Sequence, residues 1–291
     1  MKFGKSSQKR IQFETSVTVR SPGLEFNDIG YMRYSDIIHQ GTWVAYYIRN
    51  PFAIFNNFYL NTNYWMYWNF SGKLLSTNAN INFNSQFKNR WRLNGQFNRQ
   101  SENISTTFLR GGPSFIAPGN QSFSLNLNTD QSKKVAFNMG NYHGNGDAHS
   151  YKIHEYWGGV YYKPLNSIFL TFEPDYLIQK YDLQYVTTEG TNAGNRYLFG
   201  NLDQKTMSFT IRLNYTINPE LSVEYYGQPF ISAGKYSNYK EITDVNADRY
   251  LDRFRVFTPG EYIFNSETNS YEFNENSAGN EVFSVSNLFW G

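Results

Sequence analysis

The sequence predicts an all-β fold, an up-and-down antiparallel transmembrane β-barrel of about 12–14 strands with long loops on one rim. Three observations lead to this prediction. Apolar and polar residues alternate over most of the chain. The connections between the alternating segments are short and long by turns. No segment approaches the roughly 18 consecutive apolar residues that a membrane-spanning helix needs.

The clearest alternation covers residues 206–217. Met207, Ile211 and Tyr215 belong to one apolar face of this segment, and polar residues such as Asn214 belong to the other. A period of two is typical of a strand with one apolar and one polar face. The same pattern recurs in residues 75–87, 91–98, 123–128 and 135–139.

Twelve strands follow from this pattern and from the turn residues between its repeats. They are predicted at residues 8–20, 37–49, 54–70, 74–87, 90–101, 121–129, 134–141, 151–162, 167–188, 196–217, 220–232 and 282–290. Most have the length of a tilted strand that crosses a bilayer. The strands at 167–188 and 196–217 are longer, so we expect them to project beyond the bilayer.

The lengths of the connections also indicate a barrel. Short turns are predicted at residues 50–51, 88–89, 130–133, 163–166 and 218–219, and longer loops at 21–36, 102–120, 142–150, 189–195 and 233–281, with 71–73 as the one short exception. Short turns on one rim and long loops on the other are typical of barrels in an outer membrane.

Composition favours a membrane barrel over a soluble β fold. Aromatic residues make up 19% of the chain although the mean hydropathy is −0.60, and the low net charge argues against disorder. Charged residues total 17%, whereas about 25% is usual. A soluble β-sandwich or lipocalin-like barrel would carry more charge on its outside. A soluble barrel that binds a lipophilic ligand remains the alternative.

Aromatic residues near the strand ends are predicted to form girdles at the membrane boundary. They are Trp43, Tyr46, Tyr47, Tyr64, Trp65, Tyr67, Trp68, Tyr156, Trp157, Tyr161 and Tyr162.

Charge and cysteine content exclude several classes of protein. The net charge is +2, which argues against a nucleic-acid partner. The absence of cysteine excludes a disulfide scaffold, a thiolate metal site and a cysteine nucleophile. No apolar segment follows the basic N-terminus, so no signal peptide is recognised. The chain is therefore expected to be either cytosolic or a piece of a longer exported protein.

Several segments resemble a known family. They are the loop at 21–31 with Arg33 and Asp36 after it, the Leu-Arg-Gly-Gly-Pro stretch at 109–113, and the segments at 196–216, 221–224 and 227–230. Together they are similar to an uncharacterised outer-membrane barrel domain of Gram-negative surface proteins. In that family the barrel usually follows a periplasmic module similar to family 9 carbohydrate-binding modules.

The resemblance covers most of residues 10–290 and implies a single outer-membrane barrel domain over 1–291. The expected partners are outer-membrane lipid and a carbohydrate-binding-like module on the same longer chain. The preceding module is missing, and the family's barrel would continue past Trp290, so we expect this chain to be a fragment of a longer exported protein. A sugar-binding function of the missing module does not transfer to it.

Three histidines lie close together in the sequence and are candidate metal ligands. His143, His149 and His154 have Asp147 and Glu155 nearby. The segment at 142–149 has the Gly and Asn content of a surface loop, which fixes no ligand geometry. No metal and no cofactor are therefore predicted, and the isolated His39 receives no role.

The first long loop contains charged candidates for a site at the barrel mouth. Asp28, Arg33 and Asp36 provide two carboxylates and a guanidinium. Glycosidase chemistry needs two carboxylates about 5–10 Å apart. A loop that is folded into the mouth and held by charge pairs explains the same residues more simply.

Other charged residues are predicted to face the lumen. Arg92, Lys152 and Arg212 are set against Glu224 in a charge ladder, and Arg110 is placed in a glycine-rich turn that lines the mouth. The glycine-rich turn lacks the lysine and the helix of a phosphate-binding loop.

The sequence therefore predicts a barrel that anchors or assists a periplasmic or surface module and passes small polar solutes, with no catalytic activity in this segment. A protein that binds or hydrolyses glycans at the loops is the rival interpretation, because of the module that accompanies the family and because of the aromatic content.

Overall fold

A computed structural model describes residues 1–5, 9–26, 28, 30, 32, 35–191, 194–268, 270–273 and 283–286. Strands make up most of this part of the chain. It contains two single-turn 3₁₀ helices, Asp147–His149 and Tyr250–Asp252, and no α-helix. The predicted all-β class is confirmed.

Fourteen strands form one large antiparallel sheet. They are β1 (Lys2–Lys5), β2 (Ile11–Arg20), β3 (Ile37–Ile48), β4 (Phe55–Trp68), β5 (Leu74–Phe87), β6 (Arg92–Gln100), β9 (Asn120–Asn128), β10 (Val135–Gly146), β11 (Tyr151–Tyr162), β12 (Ile168–Thr191), β13 (Gly194–Asn218), β14 (Leu221–Gly227), β15 (Phe230–Ile242) and β16 (Phe254–Val256).

Two smaller sheets come from the loops. One pairs β7 (Asn103–Ser105) with β8 (Phe115–Ala117), and the other contains β17 (Tyr262–Asn265), β18 (Ser270–Phe273) and β19 (Phe283–Ser286). The prediction that residues 282–290 belong to the barrel is wrong for 283–286, because β19 pairs with β18. The other residues of that segment lie outside the described part of the chain.

Neighbours in the large sheet follow the order of the chain, with β7 and β8 omitted. The strand predicted at 220–232 is interrupted at Gln228 and Pro229. Its two parts, β14 and β15, pair with successive portions of the long β13. Proline lacks the N–H that a sheet ladder requires, so the break occurs there.

The two rims differ as the sequence predicts. Tight turns join β3 to β4, β5 to β6, β9 to β10, β11 to β12 and β13 to β14 on one rim, which we call the short-turn rim. The opposite loop rim contains the longer connections. The loop predicted at 142–150 is shorter than expected, because residues 142–146 continue β10 and pair with β11 and β9.

The strands β12 and β13 extend past their neighbours at the loop rim, as their predicted lengths require. Leu198 and Phe199 are successive residues of this extension, so their side chains point to opposite faces. Each is about 1% exposed and belongs to a different hydrophobic cluster. The cluster around Phe199 contains Leu109 and Phe115 from the β6–β9 loop, and the cluster around Leu198 contains Phe273 from β18. The packed core of the molecule therefore lies in the loop region.

Below this core the sheet has one apolar and one polar face. The apolar side chains are exposed, with Met139 57% and Ile211 38% accessible. Of the aromatic residues predicted to form the girdles, only those at even-numbered positions of β3, β4 and β11 lie on the apolar face. For the others the prediction is wrong. Tyr46, Tyr64, Trp68, Tyr156 and Tyr162 lie there, whereas Trp43, Tyr47, Trp65, Tyr67, Trp157 and Tyr161 lie on the polar face.

The edges of the sheet are β1 on one side and β14 to β16 on the other. Among the described residues no pairing joins these two edges. The large antiparallel sheet is thus observed, and its predicted closure into a barrel is not.

Candidate functional site

A cavity of about 570 Å³ opens at the loop rim between the ends of β3 to β6 and the β7–β8 loop. Its wall contains hydroxyl and amide side chains, one aromatic ring from Tyr67, one lysine and one carboxylate. The lining residues that matter below are Asp36, Tyr67, Asn69, Lys73, Asn78 and Gln100.

Asp36 is the residue of the predicted loop set that borders this cavity. Its backbone has a φ of 54°, in the left-handed region that Asp tolerates better than most residues. Its Oδ1 accepts a hydrogen bond of 2.9 Å from the backbone N–H of Phe70, which ties the loop to the β4–β5 turn. Asp28 is described but does not border the cavity, and Arg33 lies outside the described residues.

An aromatic wall supports one side of the cavity. The ring of His39 stacks on the ring of Tyr67 with centroids 4.5 Å apart. Sequence reasoning gave His39 no role, because the direct pairing of His39 with Tyr67 across β3 and β4 depends on the register. A stacked ring pair of this kind presents a rigid, partly apolar surface to a polar ligand.

The predicted glycosidase pair is not assembled at this cavity. Asp36 is the only acidic residue of the described chain that lines it. Acid–base hydrolysis of a glycoside needs two carboxyl groups. The cavity therefore offers hydrogen-bonding groups and an aromatic face, which suit binding of a polar molecule.

At the β12–β13 extension, a buried lysine of β15 binds polar groups of both long strands. Lys240 is 4% exposed, forms an ion pair with Asp182, and donates a 2.7 Å hydrogen bond to Oδ1 of Asn201. Burial lowers the pKa of Lys240, and the hydrogen bond and charge of Asp182 oppose that effect. Tyr250 donates to the other oxygen of Asp182 at 2.9 Å, and burial raises the pKa of Tyr250.

A second charge network fixes the far side of the extension. Arg196 binds Glu241 with two hydrogen bonds of 2.8 and 2.7 Å, and Arg255 bridges Glu241 and Glu261. Burial alone would raise the pKa of Glu241, but the hydrogen bonds and charges of Arg196 and then Arg255 hold the pKa below its usual value. Bidentate Arg–carboxylate pairs are among the stronger polar contacts in proteins.

Arg253 anchors the loop after β15 to the β7–β8 loop. Its side chain is 1% exposed and donates to the carbonyl oxygens of Ile116 and Ala247, both at 2.8 Å, and to Glu102 at 3.1 Å. A buried guanidinium needs such acceptors, because an unpaired buried charge is costly. No sequence pattern marks Arg253, since its partners lie up to 151 residues away.

The predicted charge ladder does not form. Arg92 and Arg212 lie on the polar face, but Arg212 stacks over the ring of Tyr226 at 4.8 Å and pairs with it across the strands. Among the described residues no ion pair joins Arg92, Arg212 or Glu224 to another side chain. Glu224 lies directly opposite Asn214 on the polar face.

Lys152 lies on the apolar face, so its predicted lumen position is wrong. It is separated by an even number of residues from the exposed Tyr156 and Val160 of β11. Arg110 lies in the β7–β8 loop with its guanidinium over the ring of Tyr185, 4.1 Å from the centroid. The sequence predicts Arg110 in a turn that lines the mouth. In the structure its guanidinium is held in place by stacking on the ring of Tyr185.

The polar face below the cavity contains a network of amide side chains. Asn61 donates to Asn82 at 3.0 Å, and Asn63 donates to Asn80 at 2.7 Å. On the other half of the sheet, the indole N–H of Trp157 donates to the side-chain oxygen of Asn126 at 3.1 Å. Cross-strand hydrogen bonds of this kind satisfy polar groups without any charge.

Two of the three neighbouring histidines meet on the opposite face. His143 and His154 pair across β10 and β11, with their Nδ1 atoms 2.6 Å apart. His149 belongs to the 3₁₀ turn at the loop rim. Within the described ranges, no three His, Cys, Asp or Glu side chains come together in a way that would hold a metal ion.

Comparisons with known proteins give one match. Residues 1–277 match a family described as a domain of unknown function, DUF5916. No curated protein and no solved structure matches the chain. Among the residues that the structure describes, no helix has the length and apolar character to span a membrane. Because the match covers more than half of its length, the chain belongs to the DUF5916 family of domains of unknown function.

Proposed function

We propose that the chain is an outer-membrane β-barrel domain that anchors a periplasmic or surface module through a lipid-facing apolar band. The observation that carries the proposal is the distribution of apolar side chains over the exposed face of the large sheet. A monomeric soluble protein rarely leaves a contiguous apolar surface of this extent open to water. A soluble barrel with a lipophilic ligand would place these side chains inside.

The height of the apolar band fits a bilayer. On β13 the outward apolar side chains run from Met207 to Ile217, and charged Lys205 and Asp203 follow on the same face. At about 3.3 Å per residue and a tilt of about 45°, the apolar run is about 23 Å high. Outer-membrane barrels have an apolar band of similar height, about 25 Å.

The register supports the tilt independently. Ile11 begins the apolar run of β2 near the short-turn rim, and stepwise pairing from Ile11 leads to Met207, the opposite end of the run on β13. The end of the apolar run that lies near the short-turn rim is Ile11 on β2 and Ile217 on β13. Relative to the pairing register this end therefore shifts by ten residues, from Met207 to Ile217, across the nine strand spacings between β2 and β13. With about 3.3 Å per residue and about 4.8 Å per strand, a level band requires a strand tilt of about 37°. Membrane barrels have strands tilted by about 35–45°.

Contacts at the loop rim support a curled sheet. Ser114 borders the mouth cavity together with Tyr67 of β4, and the next residue, Phe115, stacks on Phe108, which stacks on Phe199 of β13. In a flat sheet β4 and β13 would be about 33 Å apart, at seven strand spacings. The two ring pairs have centroids only 4.5 and 5.2 Å apart, so the sheet must bend to bring β13 within reach.

A direct test is the folding of the purified chain into phosphatidylcholine vesicles. We expect the folded protein to migrate differently on a gel before and after boiling, and the apolar band to be inaccessible to protease from outside. A chain that stays folded and monomeric in buffer without detergent would refute the proposal.

A second candidate function is supported by the mouth cavity. We propose that it binds a small polar solute or a glycan, since its wall combines the Tyr67 ring with the side chains of Asn69, Asn78 and Gln100. Sugar recognition commonly uses such convergent polar groups around an aromatic ring. Binding of an oligosaccharide panel by calorimetry tests this, and Tyr67→Ala should abolish any binding that is found. Unchanged binding by that variant would place the ligand elsewhere.

A further inference from the structure

The tight turns on the short-turn rim contain an unbalanced group of cations. Three consecutive turns on that rim connect β5 to β6, β9 to β10 and β11 to β12. We call these three turns the basic turns. Their exposed cationic residues are Lys88, Arg90, Lys133, Lys134 and Lys163. Asp130 is the one acidic residue in these turns. The chain as a whole has a net charge of +2, so the rest of it is net negative.

The three turns form one continuous surface. Arg90 donates a 3.2 Å hydrogen bond to the hydroxyl of Ser132 in the next turn. The backbone N–H of Lys163 donates to the carbonyl oxygen of Lys134 at 2.7 Å, which joins the second turn to the third. The cations are therefore held near each other, although like charges repel.

The carboxylate in this surface is already used. Asp130 is 9% exposed, and its Oδ1 accepts hydrogen bonds from the backbone N–H and the hydroxyl of Ser132, at 3.0 and 2.7 Å. Within the described part of the chain, none of the five cations of the basic turns forms an ion pair. Asp130 attracts Arg90 and Lys133, and the Lys163 ammonium lies 5.0 Å from the centroid of the Phe169 ring. One carboxylate does not balance five cations, so most of the positive charge is available to an external anion.

The basic turns directly border the apolar band. Exposed apolar side chains lie within two residues of the cations, namely Trp91, Val135, Tyr162 and Leu165. Leu165 is 61% exposed in the same turn as Lys163. A soluble phosphate would need only the cations. A lipid has an anionic headgroup and acyl chains side by side, so it matches both parts of this surface.

We propose that the basic turns bind the phosphate headgroups of anionic phospholipids in the adjoining leaflet. This inference rests on the proposed function, because it requires the apolar band to lie in a bilayer. Clusters of four to eight Lys and Arg residues beside a membrane segment attract anionic lipid in this way. The binding would hold the sheet at a fixed depth, with the short-turn rim at the headgroup level.

The test measures lipid selectivity with spin-labelled lipids. The full chain is folded into phosphatidylcholine vesicles that contain a trace of labelled phosphatidylglycerol or of labelled phosphatidylcholine. The motionally restricted fraction of the electron paramagnetic resonance spectrum gives the relative association of each lipid. We expect the wild type to prefer phosphatidylglycerol by about 3- to 10-fold, and the preference to fall in high salt.

Two variants with equal charge change separate the basic turns from general electrostatics. Lys133→Gln/Lys134→Gln should lower the preference towards 1, while Arg20→Gln/Arg249→Gln, at the loop rim, should leave it unchanged. If the first variant fails to fold, Lys88→Gln/Lys163→Gln makes the same test.

Several outcomes would overturn the proposal. A folded wild type without preference for phosphatidylglycerol, or a preference that survives both basic-turn variants, would refute it and would point to an acidic protein as the partner of this surface. Equal loss in the basic-turn and loop-rim variants would assign the effect to net charge. A wild type that does not fold into phosphatidylcholine vesicles would instead refute the proposed function.

Discussion

Replacing Ile211 by arginine tests which face of the sheet meets lipid. Ile211 is 38% exposed on β13, four residues from Met207 and six from Ile217 at the two ends of the apolar run. At about 3.3 Å per residue and a tilt of about 45°, these distances place Ile211 about 9 and 14 Å from the edges of the band. An arginine near the middle of a bilayer costs about 2–4 kcal/mol.

The matched control is Asn214→Arg on the polar face of the same strand. Asn214 lies opposite Glu224, so the new guanidinium gains a cross-strand carboxylate, and we expect a change below about 1 kcal/mol. Both free energies of unfolding are measured by urea titration in vesicles under reversible conditions. If Ile211→Arg changes stability by no more than about 0.5 kcal/mol, as at an ordinary surface position, the assignment of the lipid-facing side is refuted.

Three further predictions follow from the rims, the loops and the packing of the sheet. A membrane-impermeant maleimide added to whole cells should label Ser71→Cys at the loop rim and not Gln131→Cys at the short-turn rim, and the reverse pattern would invert the topology. Because the pKa of Glu241 is lowered, its contribution to stability is present above the usual pKa of about 4.5 and is lost as pH falls from that value through the lower folded-state pKa. The protection factors of residues 243–268 against hydrogen exchange should therefore fall below about pH 4.5. Glu241→Gln should lower the same protection factors at pH 7, at a local cost of about 1–3 kcal/mol, while Glu220→Gln at the far rim should not. Finally, Gly140→Ala should cost about 1–3 kcal/mol, because the new Cβ would overlap the ring of Trp157. Gly158→Ala should be nearly neutral, because the nearest atom would lie 3.7 Å from its Cβ. Equal effects of the two substitutions would contradict the packing described for the polar face.

Alternation in the sequence was sufficient to predict the large sheet. In residues 75–86 of β5 and 207–218 of β13 each apolar residue is followed by a polar one, so strand type, register parity and the facing of Ile211 all follow from a single pattern. The short turns were equally predictable, because Asn, Asp, Pro and Gly residues mark them. The sequence did not predict that β10 would continue to Gly146, because glycine and asparagine there resemble a loop.

The loop region could not be predicted from local patterns. The strands β7 and β8 have three residues each and no alternation, and they exist because Leu109 and Phe115 pack against Phe199 from β13. Arg253 likewise depends on acceptors that are distant in the chain. The cavity was indicated only through Asp36, since its other walls come from strand ends whose proximity depends on how the sheet bends.

The position of Lys152 shows a different limit. It was assigned to the lumen as a charged residue, but its register parity is that of Tyr156. It directly faces Lys180 on β12, at the loop-side end of the apolar run, where in the proposed orientation a charged side chain on the outer face can reach the membrane surface. Charge alone therefore does not tell which face of a strand a residue occupies near the end of that strand.

The most direct test of the membrane assignment is a nitroxide scan along β13 in vesicles. The chain has no native cysteine, so single cysteines at positions 207–217 can be labelled one at a time. Accessibility to oxygen, which concentrates in the bilayer, is compared with accessibility to a water-soluble nickel complex. We predict a period of two, with high oxygen and low nickel accessibility at 207, 209, 211, 213, 215 and 217, and the deepest position close to 211. High nickel accessibility at those odd positions would contradict the account, because it would show that the apolar face of the sheet meets water.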